Sequence, residues 1–276
     1  MSRTPNPNRL TERDLHQLGL IDAPRISWEE MHAVLDEEWR EGEHFAIFAP
    51  TKGGKSHLIR YGLLPLWNMY PVLWIRFKAR DDSTRGFGTT IQRFPVLERI
   101  KYRARSPHSD RWQTDPERYL LQLPRYHFDP SAPYDRSESW RNARRVCGEA
   151  LDKAFREGHW VVVIDEIQAI NGKRPPHLDL ESALENCLQR GRTQPLTLIT
   201  ASQQPAWNAP SVYDQSRWVA LGRTLDQARW ERIGELGGDR RSIQQVLPTL
   251  SGPPRPEFLI VDRHSGWMAV VTAPAA

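Results

Sequence analysis

A short apolar run at residues 45–48, Phe-Ala-Ile-Phe, leads into Ala49-Pro50-Thr51-Lys52-Gly53-Gly54-Lys55-Ser56. Leu58, Ile59, Leu63 and Leu64 follow at helical spacing. A buried strand, a glycine loop, Gly-Lys-Ser and a helix form the P-loop arrangement. Such a loop has to open at the carboxyl end of a strand inside an α/β sheet. Backbone N–H groups of Thr51, Lys52, Gly53, Gly54 and Lys55 are expected to curl around a β-phosphate. The helix N-terminus adds partial positive charge there. Lys55 would reach the β- and γ-phosphates, and the Ser56 hydroxyl would ligate Mg²⁺. With His57, residues 51–57 form the expected nucleotide-binding segment. Ala49 stands where the full pattern has glycine, which is tolerable only if its φ stays negative.

The strongest strand signal lies at residues 159–166, His-Trp-Val-Val-Val-Ile-Asp-Glu. Four consecutive β-branched residues fit a parallel strand buried on both faces. Open α/β sheets bind ligands at the carboxyl ends of their strands. Asp165 at that end is expected to hold Mg²⁺, directly or through water, and Glu166 to polarise the attacking water. Another buried strand is predicted at residues 196–201, ending in Ser202-Gln203-Gln204-Pro205. A polar side chain at its tip is well placed to sense a γ-phosphate.

Composition sets outer bounds. The chain has 276 residues, enough for one large α/β domain, with 39% hydrophobic and 26% charged residues. No run of about 18 apolar residues is present, so no membrane span is expected. Residues 1–8 lack the apolar core of a signal peptide. Cys147 and Cys187 fit no metal or redox spacing and read as reduced, partly buried thiols of a cytoplasmic protein. The nine histidines show no metal spacing either. A net charge of +4 and a pI near 9.2 permit a nucleic-acid partner. Of the eleven tryptophans, most should be core or interface, and a few could stack on bases.

The remaining chain organises around these signals. Residues 1–26 read as an N-terminal arm, with a short helix at about 11–20. Ser27 and Glu30 form a capping box for a helix carrying Trp28, Met31, Leu35 and Trp39, closed by Gly42. Trp28 is assigned to packing rather than to stacking on adenine. Residues 72–77 predict a second strand, with a solvated end at 78–82. Residues 83–135 read as an Arg-rich insertion. Between Arg76 and Arg118 there are eleven Arg/Lys against six Asp/Glu, an excess of five positive charges. Solvated arginines over a sheet edge and a nucleic-acid-facing surface both fit. Helices are expected at 137–157, 178–189, 226–236 and 240–250, a turn at 171–177 and a strand at 218–221. Strands at 257–261 and 267–271 form a closing β-hairpin. The Ala/Pro tail at 273–276 reads as disordered. The expected organisation is one P-loop ATPase domain over 27–272. Its expected fold is α/β, with a mostly parallel sheet flanked by helices and a C-terminal hairpin, and resembles the RecA/ASCE type of P-loop NTPase.

The segments at 49–56, 161–166, 189–192 and 198–205, taken together, resemble the FtsK–HerA superfamily of DNA-pumping P-loop ATPases. Gln189-Arg190-Gly191-Arg192, followed by Leu198-Ile199-Thr200-Ala201-Ser202-Gln203-Gln204-Pro205, is similar to that superfamily's arginine and Thr-Gln-Arg-Pro-like block. Gln204 departs from it where the pattern has arginine. The likeness spans about residues 43–266, leaving the insertion unmatched. It implies ATP and Mg²⁺ as cofactors, Lys55 and Ser56 on phosphate and metal, and Asp165 and Glu166 as the Walker B pair. It further implies Gln203 as the γ-phosphate sensor and Arg192, or else Arg190, as an arginine finger offered to a neighbouring subunit. A finger in trans implies a ring, a pentamer or a hexamer, acting on double-stranded DNA.

Membrane spans, a β-barrel and a nuclease domain, which mark other members, find no room in this sequence. A bare motor resembling viral genome-packaging and mobile-element ATPases is therefore expected. It would work in the host cytoplasm or at a virion vertex, against a portal or capsid partner. The alternatives are a zonula occludens toxin-like phage morphogenesis ATPase, a small-molecule kinase, and a nucleotide-dependent scaffold with little turnover. The first usually carries a membrane segment, and the second needs a lid and an acceptor pocket. Retained Glu166 argues against the third.

Overall fold

The computed structural model describes residues 23–77, 84–94, 117–123, 138–171, 177–203, 208–224 and 240–275. Ten strands form one sheet. In chain order they are β1 (Arg25–Ile26), β2 (His44–Phe48), β3 (Val72–Arg76), β4 (Thr89–Ile91) and β5 (Arg118–Gln122). They continue with β6 (Trp160–Ile164), β7 (Leu196–Ser202), β8 (Ser216–Gly222), β9 (Glu257–Asp262) and β10 (Met268–Thr272). Their spatial order is β1-β10-β9-β8-β2-β7-β6-β3-β5-β4. From β8 to β4 every neighbouring pair is parallel, while β9 pairs antiparallel with both β8 and β10. The strand carrying the glycine loop, β2, is thus central. The strand ending in Asp165-Glu166, β6, lies one strand away, with β7 between them.

Period-two alternation sorts the sheet's side chains onto two faces. Phe45, Ile47, Trp74, Val161, Val163, Ile199, Trp218 and Phe258 meet helix α1 (Trp28–Glu38) and the helix after the glycine loop. Leu73, Ile75, Val162, Ile164 and Leu198 meet the long helix α4 (Glu138–Glu157) and α6 (Glu181–Arg190). Both faces of β6 are fully buried, which is what its unbroken apolar run requires. The capping box at Ser27 forms as expected, with Glu30 N donating to Ser27 Oγ and Ser27 N donating to Glu30 Oε2.

The helix after the loop changes pitch. α2 (Lys55–His57) passes into a π-helical stretch, Leu58–Leu63, and then α3 (Leu64–Leu66). Pro65 cannot donate to the carbonyl of Tyr61, and its ring crowds that carbonyl, so the wider turn relieves a clash. Gly62 lets the Trp28 indole approach; a Cβ there would stand 2.7 Å from Trp28 Cζ2. Trp28 is therefore a packing residue, as the sequence suggested.

Several expectations are revised. Helix α6 begins at Glu181, not at 178. Asp179 has φ 52, in the left-handed region, and Leu178 N donates to Ala169 O, so the helix cannot begin before this point. The insertion contributes β4 and β5, which add to the sheet beyond β3. Arg76 Nε donates to Gln122 Oε1 at 2.7 Å, and the Arg118 guanidinium lies 5.9 Å from the Phe87 ring centroid. Arg76 and Arg118 thus lie on β3 and β5, at opposite ends of that pair of strands. The tail is ordered at its start: Ala273 is buried and donates to Pro256 O, and the His57 ring bonds Pro274 O. The helices expected at 11–20 and 226–236, and the arginines at 95–116, lie outside the described residues. Cys147 and Cys187 are free and buried, and burial pushes both thiols up, Cys187 to about 12. Among the described residues no helix is long and apolar enough to cross a membrane.

Candidate active site

The carboxyl ends of β2, β6 and β7 meet around the glycine loop. Along the loop, Lys52 takes φ 62 and Gly54 φ 85, both in the left-handed region. Such alternation aims successive N–H groups inward, a nest for an anion. Gly54 is required twice over, because a Cβ there would also lie 2.4 Å from Pro256 Cγ. Ala49 is absent from the residues with positive φ, so its methyl costs no backbone strain. That methyl fits because residue 222 is glycine: a Cβ at Gly222 would sit 2.6 Å from it.

Lys55 arches back over the loop, its Nζ donating to Ala49 O at 2.9 Å and to Pro50 O at 3.0 Å. Ser56 Oγ donates to Asp165 Oδ2 at 2.8 Å, joining residues 109 apart in sequence. Glu166 follows in the turn after β6, its Oε1 accepting from Gln168 Nε2 at 3.4 Å. The second amide atom, Gln168 Oε1, accepts from Ser202 Oγ at 2.7 Å. Ser202 is the last residue of β7, and its carbonyl accepts from Ala49 N at 3.2 Å. Gln203 comes directly after it, half-buried.

Lys55, Ser56, Asp165 and Glu166 are thus brought together with residues 51–54 and the tip of β7. The His57 ring turns toward Pro274 and stacks near Tyr61, with centroids 4.8 Å apart. Among the described residues at the β7 tip, Ser202, one position before the expected Gln203, bonds Gln168 just after the Asp-Glu pair. Gln168 was not singled out in the sequence, where a glutamine two positions after Glu166 carries no signal of its own.

Arg192 lies elsewhere. It sits in the turn before β7, with its side chain 70% exposed and its Nη2 3.9 Å from Glu43 Oε1. From Leu196 to Ser202 the strand covers roughly 20 Å, so Arg192 is beyond side-chain reach of its own chain's loop. Arg190 is exposed on the same side, at the end of α6.

The turn holding Arg192 is clamped from below. A Cβ at Gly42 would stand 2.8 Å from Arg192 Cα, and one at Gly191 2.5 Å from His44 Cε1. His44 is buried at the start of β2. Its Nδ1 accepts from Leu198 N at 3.1 Å, so Nε2 carries the proton and donates to Leu188 O at 2.9 Å. Burial lowers its pKa from the ordinary 6.5 to about 4. The unfolded chain therefore takes up a proton below pH 6.5 that the folded protein refuses until about pH 4. Stability supplied by neutral His44 is complete above 6.5 and falls as pH drops toward 4, by about 3 kcal/mol in all. Urea unfolding across that range should show this decline, and His44→Gln should flatten it. An equal slope in both proteins would remove His44 as the cause.

The same edge carries a second anchor. Arg217 pairs with Glu38 at 2.8 Å, Glu43 at 3.2 Å and Asp262 at 3.2 Å. Burial alone would raise the Asp262 carboxyl. Hydrogen bonds from Arg217 and the His264 backbone outweigh burial and hold it below the usual carboxylate range.

No family model matches the sequence, and no curated protein does. Solved structures are similar. The genome packaging NTPase B204 of Sulfolobus turreted icosahedral virus 2, in complex with sulfate, matches at 15% identity and TM-score 0.57. The match covers 86% of this chain and 98% of that one. The same NTPase in complex with AMPPCP matches at 16% identity and TM-score 0.55, over 86% and 100%. B204, the DNA-packaging ATPase of Sulfolobus Turreted Icosahedral Virus, matches at 17% identity and TM-score 0.54, over 85% and 98%. At these identities the likeness establishes a shared fold: a mostly parallel P-loop NTPase sheet closed by an antiparallel hairpin.

Proposed function

We propose that this chain is an ATP hydrolase that drives double-stranded DNA through a homo-oligomeric ring, as a genome-packaging motor does. The observation that carries the reading is the 2.8 Å contact between Ser56 and Asp165 beneath a left-handed glycine loop. Ser56 and Asp165, 109 residues apart in sequence, bring two metal-ligating oxygens to one point beside the loop.

The donor set fits Mg²⁺. That ion takes few protein oxygens and completes its shell with water and substrate phosphates. Ser56 and Asp165 would hold it, so a cluster of three or more carboxylates, histidines or cysteines, which the described residues lack, is not needed. When bound, the ion neutralises charge that develops on the phosphates. The protein's own groups do the rest. The nest at residues 51–55 seats the β-phosphate. Lys55 exchanges two loop carbonyls for phosphate oxygens. Glu166 takes the proton of a water as its oxygen bonds the γ-phosphorus and the bridging P–O bond breaks, releasing ADP and phosphate. Gln203, beside Ser202, is the candidate sensor. Arg192 serves the site of a neighbouring subunit.

Double-stranded DNA enters this reading through the packaging NTPases that share the fold and through the local excess of positive charge at 76–118. Steady-state ATP hydrolysis with and without linear duplex DNA tests it. Stimulation that weakens as salt rises is expected, and turnover indifferent to DNA at every salt concentration would overturn the DNA assignment.

A further inference from the structure

We infer that Gln168 is a positioning residue for Glu166, tied through Ser202 to the phosphate loop, so that one side-chain chain links loop, strand tip and catalytic carboxylate. The inference rests on the hydrolase reading above and adds to it a residue outside every recognised motif.

The polarity of the chain is fixed by its ends. A carboxylate only accepts, so the amide nitrogen of Gln168 must face Glu166. That turns Oε1 toward Ser202, whose hydroxyl donates at 2.7 Å. Ser202 is buried, and its own carbonyl accepts from Ala49 N. The base of Gln168 is equally constrained. Ile167 N donates to Ala201 O at 3.0 Å and Ala169 N to Glu166 O at 2.8 Å, while Ile167 and Ile170 are fully buried. The turn after β6 is thus tied to β7 by the Ile167–Ala201 backbone bond and closed on itself by the Ala169–Glu166 bond, and Gln168 starts helix α5 (Gln168–Asn171) from a fixed point.

A fixed amide limits rotation of the Glu166 carboxylate, which sets the direction in which a water is polarised. The 3.4 Å length leaves room to tighten when substrate is bound, as catalytic hydrogen bonds commonly do. A displacement of the P-loop at Ala49 moves Ser202 and, through it, the amide that holds the base.

Gln168→Ala is expected to lower kcat by roughly 10- to 100-fold, the scale of a misplaced catalytic group, with KM for ATP within about twofold. Ser202→Ala should act in the same direction. The double variant should be no worse than Gln168→Ala alone, because both cut one chain. Gln168→Asn, which keeps the amide on a shorter arm, should recover part of the rate. Unchanged kcat in Gln168→Ala, or additive losses in the double variant, overturns the inference. Glu166→Gln separates the two levels. If it is inactive while Gln168→Ala is normal, only the relay falls. If it turns over normally, the hydrolase reading falls first.

Discussion

Glu166→Gln is expected to reduce ATP turnover by roughly 10²–10⁴-fold, the usual worth of a positioned general base, while nucleotide still binds. Glutamine has the same shape, so packing around the turn after β6 is kept. The phosphate-seating groups, residues 51–55, reach the site from β2 and are untouched. The Ser56–Asp165 contact, at 2.8 Å, involves neither oxygen of Glu166. What the amide cannot do is take a proton from water. Fluorescent-nucleotide binding beside steady-state turnover reads the two quantities separately. Intact affinity with turnover lost is the expected pair, and turnover within about twofold of the parent would show that another group activates the water.

Arg192→Ala should be the other large effect, a loss of roughly 10³–10⁵-fold in turnover, the range of arginine fingers that stabilise transition-state charge. Its structural cost should be small. The side chain is 70% exposed and its contact with Glu43 is 3.9 Å long, and such surface pairs contribute about 0–1 kcal/mol. A large kinetic loss with unchanged unfolding free energy is therefore the signature, and it should appear at protein concentrations where the proposed ring would assemble. By contrast Arg217, 12% exposed and shared among three carboxylates on the same edge, anchors the fold, so its loss should register in stability.

The parts of this architecture that sequence revealed are those where one local pattern has one physical solution. β6 is a run of β-branched residues because both of its faces are covered, and β2 and β7 share that condition. Ser27 and Glu30 announce a helix start because their bonds span three residues and need no tertiary partner. The placement of the glycine loop, Lys55, Ser56, Asp165 and Glu166 was legible for the same reason, each following a buried strand. The start of the ladder beyond β3 was not. β4 is three residues long and largely exposed, and β5, Arg-Tyr-Leu-Leu-Gln, has no clear alternation. The beginning of α6 was misplaced because Asp179 adopts a left-handed conformation that tertiary contacts impose. Gln168 and His44 were invisible because their partners, Ser202 and Leu198 on β7 and Leu188 on α6, are distant along the chain.

Arg192 stands at the opposite end of β7 from the glycine loop, so an arginine finger at this position would have to act on another subunit of the proposed ring. Mixing Arg192→Ala protein with Glu166→Gln protein tests it directly. Each alone is expected to be inactive. In a mixed ring, an Arg192→Ala subunit keeps a complete loop and Glu166, and a Glu166→Gln neighbour supplies the arginine. At equal amounts, random head-to-tail assembly restores about a quarter of the interfaces. Turnover rising toward roughly that fraction of the parent rate is the predicted result. A mixture whose activity stays at the sum of the two inactive proteins at every ratio would contradict the account.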